Sequence, residues 1–302
     1  MGKKNMATVA DTIRELTKKH LNNGSFIMGQ CLSAVGWVQN TIPKQKKGIV
    51  ELSMTDTAGA GIAVGAAIGG GRPILVLRFQ SFLWLNSSPI VMHAAKCKEI
   101  FGYSCPVYIR AIASESEGGQ GPLHANTYHS IFAHMPGMVV TCPMTPNEFK
   151  VVWKKYLKST NPYLVSEHRS SYKIDYEIED IINERNELTI IAISSARLEA
   201  IKAISKLKDK KIYVNLINII WIKPFQLSTK QIKCIKSSKK ILIVDNSYEF
   251  CGVAASIAQI ISSKYNIKVN ILGLKEFSPG VAKKFENGTP KYREIIKKLK
   301  SI

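Results

Sequence analysis

A chain of 302 residues, 45% hydrophobic and 8% aromatic with mean hydropathy near zero, is long enough for two globular domains, each burying its own core. No apolar run reaches the roughly 18 residues that span a bilayer. The opening MGKKNMATVADTIRELTKKH is amphipathic rather than signal-like, so no membrane association and a cytoplasmic location are expected. The formal charge of +20 raises a polyanion as a possible partner. Residues 1–150 carry 14 Lys and Arg against 8 Asp and Glu, and residues 151–302 carry 28 against 14. These are mostly single lysines spread over helix faces, with no basic stripe interleaved with aromatics and no nucleic-acid-binding signature. A solvated lysine-rich surface, rather than a nucleic-acid site, is the expectation. The six cysteines are scattered, without a CxxC pair or Cys/His metal spacing, and read as reduced thiols. Cys251, in a glycine-containing turn, is expected to be small and buried.

In chain order, Val9, Ile13, Leu16 and Leu21 lie at helical spacing and predict an amphipathic helix. A strand follows at Ser25 to Met28, then a helix of small residues from Ala58 to Ala67, the turn Gly69-Gly70-Gly71, and a buried strand Pro73 to Leu77. A helix at Ile90 to Phe101, a strand at Val107 to Ile112 and a Gly- and Ser-rich loop from Ala113 to Ala125 come next. Met138 to Cys142 is a strand, Thr145-Pro146 opens a helix with Thr as N-cap and Pro at its first position, and Tyr163 to Ser166 is a further strand. The polar segment Tyr172 to Glu187 breaks the alternation and sets a domain boundary. Beyond it the sequence predicts strand Thr189 to Ile193, helix Ala196 to Leu207, strand Ile212 to Ile217, helix Ser228 to Ser237 and strand Ile241 to Val244. A helix after Gly252, strand Val269 to Leu272 and a lysine-rich helix Lys291 to Lys300 complete it. Such alternation indicates an α/β fold of two doubly wound domains with mostly parallel sheets, residues 1–175 and 186–302.

The glycines from Gly59 to Gly71 do not follow G-x-G-x-x-G between a strand and a helix, which argues against dinucleotide binding. Three other features can carry chemistry. Asp56 stands at the mouth of the small-residue helix, as a ligand carboxylate or part of a plain N-cap. Phe79 and Phe82 follow a parallel strand at its carboxyl end, where α/β ligand sites form and two rings can wall a flat group. Gly118-Gly119-Gln120-Gly121-Pro122-Leu123-His124 is a loop ending in an imidazole, with His129 and His134 at five-residue intervals beyond it. Each alone is more often structural than functional.

Taken in order, Asp56, Phe79-x-x-Phe82 and Gly119-x-Gly121-Pro122-Leu123-His124 resemble the pyrimidine-binding domain of the transketolase family. More narrowly, Thr55 to Ala67, Pro73 to Lys96 and Asn161 to Tyr172 resemble the β subunit of 2-oxo acid dehydrogenase E1 components, or the C-terminal subunit of a split transketolase. Asp245-Asn246-Ser247 with Gly252-Val253-Ala254 resembles the family's C-terminal domain. The resemblance implies thiamine diphosphate as cofactor and Asp56 as the carboxyl group that hydrogen-bonds ring nitrogen N1′, so that the exocyclic nitrogen can remove the thiazolium C2 proton. It implies Phe79, Phe82 and Leu85 around the pyrimidine, and His124 as an active-site histidine that hydrogen-bonds substrate and moves protons. His168 is a structural member of its strand end.

Three positions depart from the family pattern. Asp56 stands where glutamate is usual, about 1.5 Å short, and a misplacement of that size costs about a hundredfold in rate unless the backbone compensates. Leu85 replaces a tyrosine of transketolases proper, and Gln30 replaces an acid common in E1 β subunits. The family's Gly-Asp-Gly motif and downstream Asn, which hold diphosphate and Mg²⁺, have no counterpart here, and no metal site is expected on this chain. A separate α-type subunit would supply them in an α₂β₂ assembly with a homodimer contact, acting on a 2-oxo acid or sugar phosphate. A non-catalytic partner subunit, or a basic α/β module for polyanions, are the alternatives.

Overall fold

The computed structural model describes residues 7–115, 120–183, 185–280 and 287–302. The chain divides into two compact units, residues 1–114 with 131–177, and residues 115–130 with 178–302. The second unit thus takes in the segment that carries His124.

In the first unit, strands β1 (Ile27–Gln30), β2 (Ile49–Leu52), β3 (Ile74–Leu77), β4 (Tyr108–Ala113), β5 (Val139–Thr141) and β6 (Tyr163–His168) run in the order β2-β1-β3-β4-β6-β5, every pair parallel. The central strands β3, β4 and β6 are buried along their whole length, as a sheet covered on both faces requires. Strand β2 escapes sequence reading because Val50 and Glu51 are exposed on this edge, leaving no apolar run. The expected helix from Ile90 to Phe101 is in fact a succession, Leu83–Ser87, a π-helical turn Ser88–Ala94 and Cys97–Phe101. Pro89 at its start and the wide π turn break what apolar periodicity alone shows as one helix. Helix Pro146–Tyr156 starts where Thr145 and Pro146 predict, but the Thr145 hydroxyl bonds the Glu177 carboxylate instead of capping.

The buried pair Arg110–Glu167 ties β4 to β6. Arg110 Nε and Nη2 donate to the two Glu167 oxygens at 2.6 and 2.8 Å, and Tyr172 Oη donates to the same carboxylate at 2.8 Å. Burial opposes the charged guanidinium, yet Glu167 raises the Arg110 pKa overall, and burial beside Glu167 keeps the Tyr172 hydroxyl protonated.

In the second unit, β7 (Leu188–Ile193), β8 (Val214–Ile219), the short β9 (Trp221–Lys223), β10 (Lys240–Tyr248) and β11 (Val269–Leu274) follow in chain order. A parallel sheet runs β11-β10-β7-β8. Helices Ala196–Lys208 and Tyr292–Ser301 pack Ala200, Ala203, Leu207, Ile295 and Leu299 into one core with Ile190, Leu216 and Leu242. Cys251 is exposed, not buried, in a turn where its φ is +53°. Among the described residues no helix is long and apolar enough to cross a membrane.

Candidate functional site

The carboxyl ends of β1, β2 and β3 open onto a cleft in the first unit, lined by Gly29, Leu52, Asp56, Arg78, Phe82 and Asn86 among others. Its position follows from strand order. β1 is flanked by β2 on one side and β3 on the other, so the connections diverge and leave a crevice outside the strand ends. Gly29 lets this floor close up: a methyl group there would sit 2.7 Å from the Val76 carbonyl oxygen.

Asp56 is the first residue of helix Asp56–Ile68. Thr55 gives that helix no side-chain cap, and Asp56 does not cap it either. Instead, Asn86 Nδ2 donates to Asp56 Oδ1 at 3.0 Å and to the Phe82 carbonyl oxygen at 2.9 Å. Asn86 is buried and Asp56 half-buried, so a fixed amide orients a carboxylate that reaches the cleft. The second oxygen, Oδ2, takes no hydrogen bond among the described residues. What the cleft offers a ligand is one ionisable acceptor beside an aromatic wall.

That wall is locked from behind. Buried Gln80 donates from Nε2 to the Ala111 carbonyl at 3.1 Å and to Ser166 Oγ at 2.7 Å, pinning the 3₁₀ turn Gln80–Phe82 to β4 and β6. Phe79 and Phe82 meet edge to face, with ring centroids 5.9 Å apart at 73°, and both are half-buried. Phe82 lines the cleft and Phe79 does not, so the groups offered to a flat nitrogen heterocycle with an N–H to donate are the carboxylate, its orienting amide and the Phe82 ring.

The remaining expected residues lie elsewhere. Leu85 is exposed and is not among the residues that line the cleft; its carbonyl accepts from Thr57 Oγ1 at 2.7 Å. His124 belongs to the second unit, half-buried at the end of the short helix Gly121–His124. Gly118 and Gly119 of the expected loop lie outside the described residues. The segment bearing His124 is clamped onto β10: buried His129 Nε2 lies 3.0 Å from Asp245 Oδ2, Asn246 Nδ2 donates to Thr127 Oγ1 at 3.3 Å, and Ser130 Oγ donates to Ser247 Oγ at 2.9 Å. The sequence Asp245-Asn246-Ser247 thus holds that segment in place. His168 is buried and caps the turn Arg169–Ser171, accepting from the Ser170 amide at 3.3 Å, a local structural role. Among the described residues no group of three or more His, Cys, Asp or Glu is arranged to hold a metal ion.

Asn86, Gln80 and Arg78 escaped sequence reasoning. Asn86 is 30 residues from the carboxylate it orients, and nothing in its local sequence separates it from a surface asparagine.

Two domain families match the chain: the transketolase pyrimidine-binding domain over residues 29–174 and the transketolase C-terminal domain over residues 179–287. Among curated proteins, the pyruvate dehydrogenase E1 component subunit beta of Rickettsia felis is 25% identical over 277 residues, covering 84% of this chain and 83% of its own length. The 2-oxoisovalerate dehydrogenase subunit beta of Bacillus subtilis is 26% identical over 229 residues, covering 71% and 69%. Among solved structures, a split-gene transketolase described as an inactive β4 tetramer superposes with TM-score 0.73 at 16% identity, over 96% of this chain and 97% of that one, which is a likeness of fold.

Proposed function

Because this chain belongs to the transketolase family, with a pyrimidine-binding domain followed by a C-terminal domain, we propose that it is the β-type subunit of a thiamine-diphosphate enzyme. It would act on a 2-oxo acid or ketose, with an active site completed by a second polypeptide. The observation that carries this reading is the Asp56 carboxylate, oriented by Asn86 beside Phe82 with one oxygen unpartnered among the described residues. Thiamine diphosphate supplies the nucleophilic thiazolium carbon and the electron sink that cleavage beside a carbonyl needs.

Asp56 would accept the ring N–H through Oδ2 and so hold the pyrimidine in its proton-accepting form. Asn86 fixes the direction of that carboxylate. Phe82 would wall the ring and exclude water, strengthening the Asp56 hydrogen bond, with Phe79 packed edge to face against it. His124 would donate to, or take a proton from, the substrate oxygen. The diphosphate and Mg²⁺ fall to the α-type subunit, in keeping with relatives that are themselves named β subunits.

A surface on the first unit supports a partner. Along helix Asp56–Ile68 the outer positions Ala58, Gly61, Ile62, Gly65 and Ile68 are exposed, and a methyl added at Gly61 or Gly65 would meet nothing within 4 Å. Exposed helical glycine costs about 1 kcal/mol relative to alanine; what it provides is close approach for another backbone. Co-expression with the α-type chain tests the reading. Thiamine-diphosphate binding and turnover are expected in the complex and not in either chain alone; full turnover by this chain unaided would contradict it.

A further inference from the structure

The second unit buries an ionisable pair to which the chemistry above gives no task. His129 and Asp245 are both 0% exposed, and their side chains meet through Nε2 and Oδ2 at 3.0 Å. A carboxylate oxygen only accepts, so Nε2 carries the hydrogen of this bond. A wholly buried imidazole does not reach a substrate, and any part it takes in turnover runs through the segment it holds. That segment, residues 115–130, belongs to the second unit although the residues on either side of it belong to the first.

Both ends of the segment are anchored by polar groups. At the first, the Glu115 carboxylate accepts from the Thr289 amide at 3.1 Å and from the Thr289 hydroxyl, and Ser195 Oγ lies 2.6 Å from that hydroxyl. A methyl group at Gly288 would collide with the same carboxylate. At the second end, besides the His129–Asp245 bond, Ser130 Oγ donates to Ser247 Oγ at 2.9 Å and accepts from the Val253 amide at 3.0 Å. Between the anchors, the turn Gly121–His124 buries none of its residues. Apolar packing therefore does little to place His124, and the anchors on either side carry that task. They stand where parallel sheets build sites: β7 connects outward to β8 and β10 connects the opposite way to β11, which leaves a crevice outside the carboxyl ends of β7 and β10. Ser195 follows β7, and Asp245 and Ser247 lie in the last turn of chain of β10. Apolar side chains of similar volume would stabilise such a position as well or better; what a charged hydrogen-bonded pair adds is a fixed direction.

We propose that Asp245 is a positioning residue for the reaction: through His129 it fixes one end of the 115–130 segment and so sets the direction in which His124 meets the substrate. This rests on the reading of His124 as the group that exchanges a proton with the substrate, and it adds what the second unit does, which is to present that imidazole. Glu115, acting through Thr289, is the matching anchor at the other end.

Kinetics of the full chain assembled with the α-type subunit separate positioning from a purely structural role. Asp245→Asn keeps the shape and a neutral hydrogen bond but removes the charge. Thiamine-diphosphate affinity and exchange of the thiazolium C2 proton, which depend on Asp56, should stay at wild-type values, and KM should change little. By contrast, kcat should fall about tenfold to a hundredfold, the cost of a reacting group displaced by about 1 Å. His124→Ala should lower kcat as well, and adding Asp245→Asn to it should change little further, because both act on one step. His129→Gln retains an N–H for the carboxylate and should keep most of the turnover that His129→Ala loses, so this pair carries the test if Asp245→Asn does not fold. In the full chain alone, amide hydrogen exchange over residues 120–130 should quicken about tenfold or more in Asp245→Asn and stay as in wild type over residues 27–77. Unchanged kcat in both Asp245→Asn and His129→Ala, a loss of C2 exchange as large as the loss of kcat, or losses that multiply in the double variant would overturn the positioning role. A wild-type complex without C2 exchange would remove the reading of Asp56 and this role with it, and faster amide exchange in Asp245→Asn would then tell that failure from a failure of the clamp.

Discussion

At the residue scale, Asp56 and Asn86 share a hydrogen bond of 3.0 Å that turns a helix-terminal carboxylate into a directed acceptor. Asn86→Ala should leave the fold intact and lower turnover of the assembled enzyme by about tenfold to a hundredfold, because it loosens the group rather than removing it; steady-state kinetics check this. A second residue links the fold to pH. His20 is buried against Trp153, its Nε2 2.7 Å from the Arg72 carbonyl oxygen, and burial, only partly offset by that hydrogen bond, holds its pKa below the ordinary 6.5. The unfolded chain therefore takes up the proton first, and His20 costs stability increasingly as pH falls below 6.5. Urea midpoints measured from pH 7 to about 5 should fall less steeply in His20→Gln than in wild type. The order of Asp56, Phe79 and Phe82 could be read from the sequence as a pattern, and of these Asp56 and Phe82 line one cleft. Asn86, Gln80 and Arg78 were not, since each acts on a residue distant in the chain or through an unpaired atom that only packing reveals.

The sheet and one helix carry the cleft. β4 and β6 provide the rigid backing on which the Gln80–Phe82 turn rests, and the Arg110–Glu167 pair ties those strands together. Glu167→Ala leaves a buried guanidinium without its anion and should cost about 3–5 kcal/mol, read by chemical denaturation. Helix Asp56–Ile68 turns Gly59, Ala60, Ala63, Val64 and Ala67 inward and exposes Gly61 and Gly65. Gly65→Ala should stabilise the isolated chain by up to about 1 kcal/mol, whereas Gly65→Leu should leave it folded and block assembly with the α-type chain, measured by size-exclusion chromatography. Most strands and helices could be read from periodicity. Two of the exceptions have clear physical causes: β2 lies on a polar edge, and the region from Leu83 to Phe101 is interrupted by a proline and a π turn that hydrophobic spacing does not register; others, such as Gly121–His124 and Trp221–Lys223, are too short to show a period.

The scale of the whole molecule is where charge and partnership are decided. Lys206, Lys208, Lys210 and Lys211 are exposed around one helix end, as a solvated basic surface requires. Binding to DNA or RNA should therefore be weak and lost as salt approaches physiological strength. The two-domain α/β organisation was legible because alternating strands and helices restart after a polar interruption. That residues 115–130 join the second unit was not, because it depends on pairings such as His129 with Asp245 across more than a hundred positions. The central claim concerns the assembled enzyme, in which Asp56 would activate a cofactor shared between chains. NMR exchange of the thiazolium C2 proton with deuterium, in the complex with the α-type chain, tests it most directly. Asp56→Asn should slow that exchange by about a hundredfold or more relative to wild type, with thiamine diphosphate still bound; exchange at the wild-type rate would make this chain a structural partner rather than half of a catalytic site.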